Sequence, residues 1–225
     1  MEDMHIHIRD GINNLEELKK FIEKGIANKI KSFLLVEHGN RISEKHIGYL
    51  TSNKQIDDFK ESITQIQNIY KDIKILKGIE IDYSIEPSFR KDTLNILKYG
   101  DFDLVIGSIH SYQFTDGLDY FKYIIDMINN YPIDIIGHII LRDNWEEYKD
   151  ILKKIIILCS KKNIKIEINT SDRSRWNNEQ LSFMLNEMNK YGVMYSFGSD
   201  AHSSEEVGYR IEETYERVLL YNKKN

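Results

Sequence analysis

The chain has 225 residues, enough for one sizeable core, and no Pro/Gly/Ser-rich stretch divides it, so a single domain over residues 1–225 is expected. Its 31 Lys and Arg against 36 Asp and Glu give a formal charge of -5 and no basic field with which to hold nucleic acid, which leaves small or charged molecules as partners. The one cysteine, Cys159, lies within an apolar run and reads as a small buried hydrophobe, in keeping with a reducing cytoplasm. Neither a leader before His5 nor an apolar run of membrane-spanning length is evident, so a soluble protein is expected.

The first predicted strand, Met4-His5-Ile6-His7-Ile8, puts both histidines on one face and Met4, Ile6 and Ile8 on the other, a natural pair of metal ligands. After the turn Arg9-Asp10-Gly11, Leu15, Leu18, Phe21, Ile22 and Ile26 recur at helix spacing. Strand Phe33–Val36 ends in Glu37-His38-Gly39, and a helix with Ile56, Phe59, Ile63, Ile66 and Ile69 on one side leads to strand Ile75–Ile81, which carries Glu80 near its end. A helix over Ser88–Leu97 precedes Leu104–His110, and a helix over Leu118–Asn130 precedes Ile133–His138. A long helix over Trp145–Lys161 precedes Ile164–Asn169; the last repeat pairs a helix over Gln180–Tyr191 with Val193–Asp200, then Ala201-His202 and a closing helix.

Seven apolar strands alternating with helices, at roughly one unit per 32 residues, imply a parallel α/β sheet. Each strand ends in a polar or metal-competent side chain: His5 and His7, His38, Glu80, His110, His138, Asn169, and Asp200 with His202. In a closed β/α barrel these ends meet at one mouth, whereas an open doubly wound sheet would spread them along a line. Six of the seven histidines occupy such ends, and His46 alone reads as a surface residue. That distribution favours a metal cluster over satisfied core histidines, with Glu80 and Asp200 as anionic ligands for zinc, iron or manganese.

The ordered series His5-Ile6-His7, Glu37-His38, Gly78-Ile79-Glu80, Gly107-Ser108-Ile109-His110, Gly137-His138, Glu167-Ile168-Asn169-Thr170 and Gly198-Ser199-Asp200-Ala201-His202 resembles the polymerase and histidinol phosphatase (PHP) superfamily, in particular its histidinol-phosphatase branch. The resemblance implies a distorted seven-stranded (β/α)7 TIM-like barrel with two or three divalent ions. By similarity, one ion would take His5, His7, Glu80 and Asp200, a second Glu80 with His110 and His138, and a third His38 and His202. Relatives often add a ligand just after the opening motif, where this chain offers Asp10 or no protein ligand. The implied reaction is hydrolysis of a phosphomonoester, with L-histidinol phosphate favoured by the resemblance alone, by a metal-bridging hydroxide. Asp200 is the first candidate for proton transfer and His202 the second. Arg173 resembles the family's phosphate-binding arginine, and Arg41 and Arg175 are further candidates. A phosphodiesterase or nuclease, a protein-tyrosine phosphatase and a non-enzymatic interaction barrel are the competing expectations.

Overall fold

The computed structural model describes residues 1–39, 49–110 and 117–224. His46 and Arg41 fall outside these residues. Strands and helices alternate as β1 Glu2–His7, α1 Leu15–Ala27, β2 Ser32–Val36, α2 Asn53–Ile69, β3 Lys74–Asp82, α3 Pro87–Gly100, β4 Leu104–Ser108, α4 Gly117–Asn130, β5 Ile135–Ile136, α5 Lys149–Lys162, β6 Lys165–Asn169, α6 Asn178–Tyr191, β7 Tyr195–Gly198 and α7 Ile211–Lys224. The sheet runs in sequence order, β1 to β7, with every pair parallel. A parallel bridge between Ile6 and Ala201, with the His7 N–H donating to the Ala201 carbonyl at 2.8 Å, brings the first strand against the end of the last. The sheet is therefore a nearly closed barrel, as expected, and not an open one.

Helix boundaries follow local chemistry. The Asn14 side chain accepts from the Glu17 N–H to start α1, and Pro87, which has no N–H to leave unpaired, opens α3. Asn177 and Gln180 form a reciprocal capping box on α6, and Gly192 ends that helix at φ 67°, a conformation that costs glycine nothing. The helix predicted over Trp145–Lys161 is in two parts, a 3-10 turn at Trp145–Tyr148 and then α5. The turn seats Trp145 in the core while Lys149 crosses its ring at 4.8 Å.

The larger apolar cluster joins strands to helices through Phe21, Phe33, Phe59, Ile156 and Leu185. A smaller one is drawn from strands alone, Met4, Leu34, Val36, Ile106 and Ile135, and fills the barrel below the histidines. Met4 belongs there because the β1–β2 register shifts between Asp3 and Ile6. Strict alternation, which places Met4 on the face opposite His5, is corrected by this irregularity, since an extra residue lets two neighbours share a face.

Candidate metal centre

The strand ends carry the expected histidines to one place. Glu80, fully buried near the end of β3, stands in the middle with its two oxygens facing different imidazoles. Its Oε2 lies 2.7 Å from His38 Nδ1, 3.4 Å from His7 Nε2 and 3.6 Å from His5 Nε2. Its Oε1 lies 3.0 Å from His138 Nε2 and 3.3 Å from His110 Nε2. Asp200 approaches from the β7 side, with Oδ1 3.6 Å from His5 Nε2 and 3.4 Å from His7 Nε2. Asp200 has φ 55°, a left-handed conformation that costs a non-glycine residue about 1–2 kcal/mol and turns its side chain back to the barrel mouth. His202 stacks on His7 at 4.2 Å between ring centroids and is 54% exposed.

Ligand atoms converge in three groups among the described residues: His5, His7 and Asp200; His38, Glu80 and His110; His7, His38 and His202. His138 joins the second group through Glu80 Oε1. Asp10, in contrast, is exposed on the 3-10 turn Arg9–Gly11 and enters none of these groups. The donor set fits divalent ions. His5 Nε2 and His7 Nε2 face each other at 3.1 Å, where two neutral rings set at most one hydrogen between lone pairs that a cation would satisfy together. Neutral imidazole and carboxylate are the mixed ligand set of zinc, iron and manganese.

Protons are the competing cations, and the electrostatics shows where they go. Burial disfavours charge on His110, but Glu80 and Asp82 outweigh it and lift the imidazole to about 9. Burial is likewise overcome at His5, raised by Glu167, Glu80 and Asp200, and at His7, raised by Asp200 and Glu80. Asp200 is held far below the ordinary carboxylate range because His5, His7 and His138 outweigh its burial. His202 moves the other way, lowered by burial and by His7. It donates from Nδ1 to the Asp200 carbonyl at 2.9 Å, which keeps Nε2 as the acceptor.

A second layer of acids supports the histidines. Glu167 Oε1 pairs with His5 Nδ1 at 2.8 Å, the carboxylate-to-histidine support typical of metal sites. Asp82 Oδ1 accepts from the His110 N–H at 3.0 Å and lies 3.6 Å from its Nδ1, an ion-pair distance too long for a hydrogen bond. Asp3, pushed up to about 6 by burial, accepts from Ser199 Oγ at 2.6 Å, Ser199 N at 2.9 Å and Gly208 N at 2.8 Å, and so anchors the loop that carries Asp200. The signal for Glu167 was present in sequence: in Lys165-Ile166-Glu167-Ile168-Asn169 the polar residues share one face, which in a barrel strand is the interior.

The arginines separate. Arg173 stands exposed in the turn after β6, whose shape is set by Asn169 Oδ1 accepting from Ser171 N at 3.0 Å and Ser171 Oγ at 2.6 Å. Arg175 pairs with Glu213 at 3.3 Å. Sequence reasoning missed Arg9, whose half-exposed guanidinium lies 3.5 Å from buried Glu37, the neighbour of His38, and 5.4 Å over the Tyr49 ring. Among the described residues no helix is long and apolar enough to cross a membrane.

Comparison with known proteins identifies the family and the fold. The family profile described as "PHP domain" matches residues 3–171. A "Probable phosphatase" of Thermoanaerobacter sp. (strain X514) is 28% identical over 218 residues, covering 94% of this chain and 82% of the relative. A "Histidinol-phosphatase" of Lactococcus lactis subsp. lactis is 22% identical over 230 residues, covering 89% of this chain and 83% of the relative. Among solved structures, one from Listeria monocytogenes that carries a provisional histidinol phosphatase name matches with a TM-score of 0.69 at 16% identity, covering 95% of this chain and 99% of that one.

Proposed function

The chain belongs to the PHP domain family, and from that premise we propose that it is a metal-dependent phosphomonoesterase acting on a small phosphorylated metabolite, with L-histidinol phosphate the first substrate to try. The observation that carries the reading is Glu80, one buried carboxylate whose two oxygens address two sets of imidazoles, His5, His7 and His38 on one side and His110 and His138 on the other. That is the arrangement of a carboxylate shared between two ions. His5, His7, Glu80 and Asp200 would hold one; Glu80, His110 and His138 would hold the second. His202 with His7 and His38 offers a third position. When bound, such ions neutralise phosphate charge and lower the pKa of water.

The chain's own residues supply the remainder. Asp200, 18% exposed beside the cluster, faces His5 and His7 through Oδ1 and is the first candidate to carry a proton to a departing alkoxide on its other carboxylate oxygen. His202, kept neutral by its surroundings, is the second proton carrier at Nε2. Arg9, fixed by Glu37 and Tyr49, presents guanidinium N–H groups at the side of the mouth formed by His7 and His38, where a phosphate oxygen would be met. The buried wall around Glu80 excludes bulk water and strengthens each of these interactions.

The histidinol phosphate expectation is supported by the ordered motif series and by the name of the Lactococcus lactis relative. The test is phosphate release from a panel of monoesters that includes L-histidinol phosphate, alongside a bis-ester and a phosphotyrosine peptide, on protein whose metals have been counted. Preference for a small monoester, abolished by chelation and restored by metal, is the expected result. Preference for the bis-ester or the peptide would refute the substrate class, and full activity after metal removal would refute the mechanism.

A further inference from the structure

Glu167 reaches two histidines of the cluster, His5 and His138. It is buried on β6, and each of its oxygens is committed. Oε1 pairs with His5 Nδ1 at 2.8 Å, and Oε2 accepts the backbone N–H of His138 at 2.6 Å. His5 and His138, whose rings stack at 5.8 Å between centroids, address different oxygens of the central carboxylate, His5 Nε2 facing Glu80 Oε2 and His138 Nε2 facing Glu80 Oε1. Room for this contact depends on residue 198 being glycine, since a Cβ there would lie 1.9 Å from Glu167 Oε1 and 2.7 Å from His5 Cβ.

Resting on the metal reading above, we propose that Glu167 is a positioning residue that fixes the ligating nitrogen of His5 and the placement of His138 together, so that the two metal positions are built and lost as a unit. A carboxylate only accepts, so both neighbours must donate to it. His138 does so from the backbone, which has no alternative. When the ring is neutral, as metal binding requires, His5 must then carry its one proton on Nδ1, which leaves the Nε2 lone pair facing His7, Asp200 and Glu80.

Substitution Glu167→Gln breaks that symmetry, because an amide has one accepting end and one donating end. Only the amide oxygen can meet the His138 N–H, so the NH2 turns to His5 Nδ1. The imidazole then answers by moving its proton to Nε2, the atom that would bind metal. Loss of an outer-shell partner typically costs roughly 10–100-fold in metal affinity. Here the loss is expected in both binding steps, since one carboxylate serves both sides.

The experiment compares the full-length wild type, E167Q and G198A. Two-bond proton–nitrogen correlations on metal-free protein, above the titration of His5, read its tautomer. Titration with Zn(II) against a competing chelator reads the affinities. The wild type should show the proton on Nδ1 and E167Q should show it on Nε2, with the first two Zn(II) steps weakened together. G198A keeps the carboxylate but displaces it, and should reproduce the paired loss. A His5 tautomer unchanged in E167Q, or weakening confined to one step in either variant, would overturn the proposal. A wild type that takes up no Zn(II) would remove the metal reading itself, and the tautomer measurement would still decide the role of Glu167.

Discussion

Replacing Glu80 with Gln removes one negative charge from the centre of five imidazoles while preserving shape. Its oxygens lie between 2.7 and 3.6 Å from ring nitrogens of His38, His7, His5, His138 and His110. Removing one partner of a buried charge pair costs about 3–5 kcal/mol, and each 1.4 kcal/mol is about tenfold in affinity, so metal binding should fall by roughly two to nearly four powers of ten. Elemental analysis after desalting, combined with phosphate release, would read that loss directly. A second consequence is independent of metal. Glu80 is the foremost group raising His110 to about 9 against the effect of burial. In metal-free wild type, His110 binds its proton more tightly folded than unfolded. Its stabilising contribution is complete below its ordinary pKa of 6.5 and is lost as pH rises through about 9. In the Gln variant the imidazole should titrate lower, and that part of the fall in melting temperature should shrink. Unchanged metal content with full turnover, or an unmoved His110 titration, would refute the central place given to Glu80.

Further outcomes are expected elsewhere in the molecule. Asp200→Asn should lower kcat by about 100-fold or more at saturating metal, in the range of lost proton-transfer catalysis, as read in steady-state assays against pH. Arg9→Ala should chiefly raise KM for the phosphorylated substrate, since its guanidinium is poised to bind and not to transfer protons; equal kinetics for variant and wild type would clear it. The same substitution at Arg173 tests the arginine expected from the motif series. Cys159 is fully buried in α5, and burial pushes its thiol up to about 12. A thiol reagent at about pH 8 should leave the native protein unlabelled and react once it is denatured.

The barrel and the identity of its rim were legible because both arise from short-range pattern. Parallel strands advertise themselves as apolar runs, and the polar residue closing each run, a histidine or acid in all but the sixth, lands at the mouth whatever the details of the helices. What lay beyond the pattern depends on register and partners. Met4 joins the barrel interior only because the first pairing slips between Asp3 and Ile6, and no residue type in that stretch announces the slip. Strand β5 shrinks to Ile135–Ile136, although Asp134 still binds the Val105 N–H through its side chain at 2.8 Å, so an apolar run overstated the ladder. Asp10 has the right chemistry but is exposed on its turn and is a member of none of the ligand groups among the described residues. Arg9 carries no motif at all. Its placement follows from a tertiary contact with Glu37, and only coordinates reveal that.

The most direct measurement is anomalous X-ray diffraction from crystals of the metal-loaded protein. Peaks on both sides of the Glu80 carboxylate, one toward His5, His7 and Asp200 and the other toward His110 and His138, are the predicted result. Bound metal found only at surface carboxylates, with the region around Glu80 bare, would contradict the account.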